Sequence, residues 1–243
     1  MAWPPVTEPA TPIFPDWQAH AAEVIACRLC PRLVAWREQV AVEKRRAYRD
    51  WQYWGKPVPA FGDPLARVLV VGLAPGAHGS NRTGRMFTGD ASGDFLYPAL
   101  HQAGFANQPA TVQPGDGLEL RDLLISAVCR CAPPDNKPLP AEMLSCRPFL
   151  LRELELLPNL QGIVCLGRIA FDNVLAIYRE RGQRLPTLEF GHGAFARLGA
   201  GLPWLLAAYH PSRQNTQTGR LTPAMFAAIW ARVRAELQPP AEE

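Results

Sequence analysis

Residues 68–90 read VLVVGLAPGAHGSNRTGRMFTGD, and this stretch decides the fold. Its first four residues are all apolar, as in a strand covered on both faces. The run stops at Gly72, and from there to Asp90 come five glycines and one proline with few aliphatic side chains. A segment that gives up so much packing lets its backbone approach something closely: a phosphate, a sugar or a base. The competing reading is a surface loop with Gly-rich turns. Phe87, set among polar groups, favours a binding floor over that reading.

Working outward, the same apolar character recurs at 67–73, 123–129, 162–166 and 204–209, which read as four buried strands. Amphipathic stretches at 16–30, 92–103, 141–157, 169–178 and 222–237 read as helices. The last opens on Thr222 and Pro223, a good cap followed by a first-turn proline. Strands alternating with helices imply an α/β fold, a three-layer α/β/α sandwich around a central, mostly parallel four-stranded sheet. Ligands of such sheets bind beyond the carboxyl ends of the strands. Three of the four runs lead into unusual polar sequence there: GLAPGAHG, CRCAPPDNKP and HPSRQNTQTGR. That convergence marks a site more strongly than any one of the three.

A chain of 243 residues can bury a full core and is expected to form a single domain, with 1–15 and 238–243 as loose termini. A net charge of +3 does not by itself demand a nucleic-acid partner, although the positive charge is nearly all arginine, which suits bidentate phosphate contacts. No apolar run is long enough to cross a bilayer, and the N-terminus lacks the basic-then-apolar order of a signal peptide, so a cytoplasmic location away from membranes is expected. Six cysteines in that setting point to metal ligation or plain burial rather than disulfides.

Cys27 and Cys30 form a C-x2-C pair, and Cys131 and Cys146 follow as dispersed thiols. Four such thiolates can hold zinc or an iron–sulfur cluster; unlinked buried thiols are the plainer alternative. Cys129 and Cys165 fall inside strand runs and read as core. His210 follows a strand directly, next to Pro211 and Ser212, where its ring can donate to an oxygen that becomes anionic. The loop after it (Arg213, Gln214, Asn215 and on to Arg220) is rich in donors that suit phosphates. Residues 43–56, EKRRAYRDWQYWGK, interleave cations with aromatics. They suit either backbone neutralisation with base stacking or a surface helix with its aromatics inward.

Taken together, these residues resemble the uracil-DNA glycosylase superfamily, in its iron–sulfur branch. GLAPGAHGSNRTGRMFTGD is similar to its first signature motif and HPSRQNTQTGR to its second; CAPPDNKP matches a Cys-Pro-Pro-Asn segment. The resemblance runs from Cys27 to the last helix. It implies that Cys27, Cys30, Cys131 and Cys146 ligate a 4Fe-4S cluster, with zinc as the lesser alternative. Leu73-Ala74 stands where families 1, 2 and 4 carry a carboxylate or asparagine, which points to family 5 (type B). A second departure is Ser126-Ala127, where many relatives read the uracil edge with an asparagine.

The implied activity is monofunctional: the base is flipped out of the stack and its N-glycosidic bond hydrolysed, leaving an abasic site. Phe87 would stack on the base, with Gly72, Ala74, Gly76 and Ala77 around it. His210 would donate to uracil O2, while Ser212, Arg213, Gln214, Asn215 and Arg220 hold the DNA backbone. With Ala74 unable to position the water, Asp90, Asp94 and Asn136 are the candidates, in that order. The apolar pair at 73–74 predicts a permissive pocket that also takes other deaminated bases such as hypoxanthine. The expected partner is double-stranded, uracil-containing DNA, and the expected state is a monomer. The absence of a lysine from the two signature motifs argues against Schiff-base lyase chemistry, and the absence of Gly-Lys-Ser/Thr argues against a P-loop enzyme. A metal-stapled nucleic-acid-binding module without catalysis is the alternative, and it would not need His210.

Overall fold

The structure is a computed structural model that describes residues 15–237. The termini expected to be loose, 1–15 and 238–243, lie outside the described residues except for Pro15, which opens the first helix.

The N-terminal third is helical and irregular: α1 (Pro15–Ala26) and α2 (Pro31–Glu43), then the two-residue strand β1 (Phe61–Gly62). Next come β2 (Val68–Gly72), the single-turn α3 (Ser80–Thr83), α4 (Ala91–Gln102) and β3 (Leu123–Ala127). The rest alternates: α5 (Pro140–Leu156), β4 (Gly162–Leu166), α6 (Arg168–Glu180), β5 (Phe195–Arg197), β6 (Trp204–Ala208), α7 (Arg213–Gln217) and α8 (Pro223–Leu237).

The sheet runs β1-β3-β2-β4-β6-β5. Its four inner strands are the four apolar runs, parallel throughout and buried at every position. The expected four-stranded sheet is therefore corrected to six. The added edge strands, β1 and β5, pair antiparallel and have only two and three residues, too few to show an alternating pattern. Alternate side chains of the inner strands enter two cores. Val68, Val70, Ile125, Val164 and Leu206 meet Leu96, Tyr97, Phe226 and Trp230 of α4 and α8. Leu69, Val71, Ile163, Cys165 and Leu205 meet Leu150, Phe171 and Val174 of α5 and α6. These are the three expected layers.

Two local expectations change. The helix expected over 16–30 ends at Ala26; residues 27–30 form a non-helical link, and Pro31 opens α2 at its first position. Glu43 ends α2, and residues 44–56 are not a helix: apart from one 3-10 turn at Arg46–Tyr48, they form an irregular strap.

Candidate active site

Because the inner strands are parallel, the segments after β2, β3 and β6 leave the same edge of the sheet. Gly72 ends β2 inside the core, and a Cβ there would press on the Phe87 ring at 3.0 Å. That clearance lets Phe87 fold back over the strand end, where it stacks on His210 with ring centroids 5.8 Å apart and an interplanar angle of 30°. Phe87 holds a φ of +50°, uncommon for a bulky side chain. Its neighbours fix it there. Tyr97 donates to the Met86 carbonyl at 2.7 Å, Thr83 Oγ1 to the Thr88 carbonyl at 3.2 Å, and a Cβ on Gly93 would collide with the Phe87 carbonyl.

Asp90 closes the same turn. Its Oδ1 accepts from the Ser92 and Gly93 amides at 3.0 and 3.3 Å and so caps α4. Oδ2 lies against Gly76 and Gly79, where side chains would overlap the carboxylate. Burial raises the pKa of Asp90 above the usual aspartate value, against the pull of the two amides. Asp94 sits exposed one turn further along α4. Asn136 is exposed in the turn beyond Cys131, with a φ of +56°. Gly76, Ala77 and Ala74 are half-buried, and Ala74 packs on the α5/α6 core.

His210 retains some surface, yet burial of its ring pulls its pKa down to about 4, so the imidazole is neutral at neutral pH. Its carbonyl accepts from Asn215 Nδ2 at 2.8 Å, and Ser212 Oγ accepts the Asn215 amide at 3.5 Å at the start of α7. In this arrangement two of the expected DNA-holding side chains brace His210. Arg213, Gln214 and Arg220 are exposed, the last with its guanidinium 4.6 Å from the Tyr209 ring centroid.

The strap 44–56 is bound to the motif turn. Tyr48 and Trp51 flank the Arg82 guanidinium at 4.0 Å each, Tyr53 OH lies 3.1 Å from His78 Nδ1, and the Trp54 and Gly55 amides donate to the Arg82 and Asn81 carbonyls. Its aromatics therefore face the site loop, while Arg45, Arg46, Arg49 and Lys56 remain exposed. Sequence reading passed over Arg82 and His78, although the cation–aromatic mixture was the signal that could have found them. Ser126 is another finding: its hydroxyl donates to Glu153 at 2.6 Å within a buried set completed by Arg130 and His20. Its polar group is spent there, on the α5 side of the sheet.

Four thiols meet at a second corner. Cys27 and Cys30 lie in the α1–α2 link, Cys131 beyond β3 and Cys146 on α5. Cys30 feels the charge of Cys146 and Cys27, and Cys131 that of Cys146 and Cys27, so the four are neighbours. Cys131 Sγ accepts from Arg37 Nη1 at 3.0 Å, and Cys146 Sγ from the Arg130 amide at 3.3 Å. Cys129 is core, as expected. Among the described residues no group of three His, Cys, Asp or Glu side chains is arranged to hold a metal ion. It is the donor set that fits a thiolate-bound group, together with N–H groups of buried Arg37 and Arg130 that have no partner.

The sequence model of the uracil DNA glycosylase superfamily matches residues 59–234, a span that includes Phe87, Asp90 and His210. The chain belongs to that superfamily. Within it, a type-5 uracil-DNA glycosylase of Thermus thermophilus is 55% identical over 214 residues, covering 88% of this chain and 95% of that one. A type-5 enzyme of Mycobacterium tuberculosis is 53% identical over 86% of this chain and 77% of its own. A type-4 uracil-DNA glycosylase of Pyrobaculum aerophilum is only 30% identical, over 66% of this chain and 74% of its own. The glycosylase belongs with the type-5 relatives, as the apolar Leu73-Ala74 pair implied. Among its described residues no helix is long and apolar enough to cross a membrane.

Proposed function

We propose that the protein excises uracil from DNA by hydrolysing the N-glycosidic bond, leaving an abasic site. The observation that carries this reading is the Phe87–His210 pair, held at the carboxyl edge of the sheet beside the Asp90-capped turn. Phe87 offers a face for a flipped base. His210, neutral because it is buried, donates an N–H to uracil O2 as charge builds there; one preorganised donor of this kind is worth about 3–4 kcal/mol in comparable sites. Asp90 is the preferred group for positioning the water. Burial makes its carboxylate a better proton acceptor than a free aspartate, and Oδ2 is not the oxygen that caps the helix. Asp94 and Asn136 remain second and third, being exposed.

The substrate is taken as duplex DNA bound by a monomer, with Arg213, Gln214 and Arg220 on the phosphates. The absence of a polar side chain at 73–74, and the engagement of Ser126 by Glu153, support a permissive pocket that also takes hypoxanthine. Cys27, Cys30, Cys131 and Cys146 would hold a 4Fe-4S cluster. When bound, it supplies a covalent staple between the α1–α2 link, the loop after β3 and α5.

The test is incubation with a uracil-containing duplex and a hypoxanthine-containing duplex, followed by alkaline cleavage of abasic sites. Cleavage of the uracil strand is expected; an intact strand overturns the enzyme reading. Ala74→Asn is expected to narrow the range towards uracil, and an unchanged range would remove the permissive pocket.

A further inference from the structure

Two guanidinium groups are buried beside the thiols, and they differ in their counter-charges. Arg130 pairs with the buried Glu153 at 2.5 Å. Arg37, which is 1% exposed, pairs among the described residues with the carboxylate of Glu38 alone, 3.9 Å away and half in solvent. Nη1 of Arg37 donates to Cys131 Sγ at 3.0 Å and Nη2 to the Cys27 carbonyl at 3.3 Å, while its buried Nε has no partner. A buried cation without a close anion is costly, and the groups beside it able to supply that anion are the cysteines.

The backbone of the same residue reaches the other site. The Arg37 carbonyl accepts from Asn81 Nδ2 at 3.2 Å, and that amide group also reaches the Ala77 carbonyl at 3.4 Å. The Asn81 backbone donates to Gly76 and accepts from Gly55, each at 3.0 Å. Asn81 is fully buried, so these bonds hold the floor turn of the base pocket onto α2 at Arg37.

We propose that Arg37 is the positioning residue that joins the two sites: its guanidinium balances and hydrogen-bonds the ligating thiolate of Cys131, and its carbonyl anchors the base-binding turn through Asn81. The inference rests on the thiolate-held cluster proposed above. Outer partners of metal ligands commonly set metal retention and redox potential without touching the metal. Without ligated thiolates, Arg37 is a buried cation lacking its counter-charge, and its displacement would release Asn81.

The experiment uses the full-length, iron-loaded protein and its Arg37→Gln, Arg37→Lys and Asn81→Ala variants. Iron and sulfide per chain, iron loss to a chelator and the midpoint potential of the cluster are measured beside KM for a uracil duplex. Arg37→Gln removes the charge but keeps a donor. It is expected to lose iron about 10- to 100-fold faster and to shift the potential downward, because a nearby cation favours the more negative reduced state. Arg37→Lys should restore the potential toward the unmodified value. Asn81→Ala should raise KM while leaving iron content and potential unchanged. Unaltered iron loss and potential in Arg37→Gln would overturn the inference alone, as would loss of iron in Asn81→Ala. Unmodified protein free of iron and sulfide would overturn the cluster reading, and the inference with it. If Arg37→Gln does not fold, Arg37→Lys decides: about tenfold faster iron loss supports the role of the planar fork, and unchanged loss refutes it.

Discussion

The turn after β2 and the thiol corner lie at the same edge of one sheet, yet they are built by different means. The turn at 73–90 takes its shape from local bonds and is then tied to the strap 44–56 and to Arg37. Glycines at 76 and 79 admit the Asp90 carboxylate, and Thr83, Arg82 and Asn81 bond backbone groups within ten residues of themselves. The corner is held by long side chains across great sequence distance: Arg37 to Cys131 over 94 residues, Arg32 to Glu142 over 110, His20 to Glu153 over 133. A locally held site is sensitive to any added atom, whereas a site held by buried charge is sensitive to any lost partner.

Several measurements sharpen or break that contrast. The largest effect belongs to Asp90→Asn, which keeps an oxygen for the α4 cap but loses the proton acceptor. Uracil release in single turnover should fall by about 10²- to 10⁴-fold with the melting temperature nearly unchanged. A near-normal rate would return Asp90 to a purely capping role and move the search to Asp94 and Asn136.

Glu153→Ala attacks the corner instead. It strands buried Arg130, whose Nε and Nη1 already lack partners, and should cost about 3–5 kcal/mol in denaturant unfolding. A loss below about 1 kcal/mol would mean that the pair is not a structural support.

His210→Ala should slow uracil release by about 10²- to 10³-fold with little change in stability, since it removes one donor to the departing base. Retention of the rate would show that another group carries the developing charge.

The smallest effect concerns pH. His210 has its pKa depressed to about 4, so over about pH 5–8 the folded imidazole stays neutral and should give no inflection in uracil release. In the unfolded chain the ring titrates near its ordinary value and binds more protons than the folded state below it. This group's contribution to stability therefore falls as the pH drops from the ordinary histidine range toward 4. An imidazole NMR titration with a midpoint near neutrality would contradict the buried, neutral donor.

Much of this was legible in the chain itself. The four inner strands are continuous apolar runs, and three lead into site sequence, because a parallel sheet covered on both faces leaves such runs no polar position. The end of α1 was missed: Cys27-Arg28-Leu29-Cys30 carries no glycine, and the break became visible only where Pro31 restarts a helix. Ser126 looked like an omitted base reader until its bond to Glu153 was seen.

The sequence by itself determined the four inner strands, the glycine turn, the strand-end His210 and the set of four cysteines, because period, apolar runs and turn residues are properties of neighbours along the chain. Only the tertiary structure decided that the cationic strap clamps Arg82, that Asn215 braces His210, and that Arg37 lies between the thiols and the turn at Asn81. Those pairings join residues from separate segments or set which way a side chain faces. Burial then fixes their chemistry, since it is burial that keeps His210 neutral, raises the Asp90 carboxyl and leaves Arg37 in need of an anion.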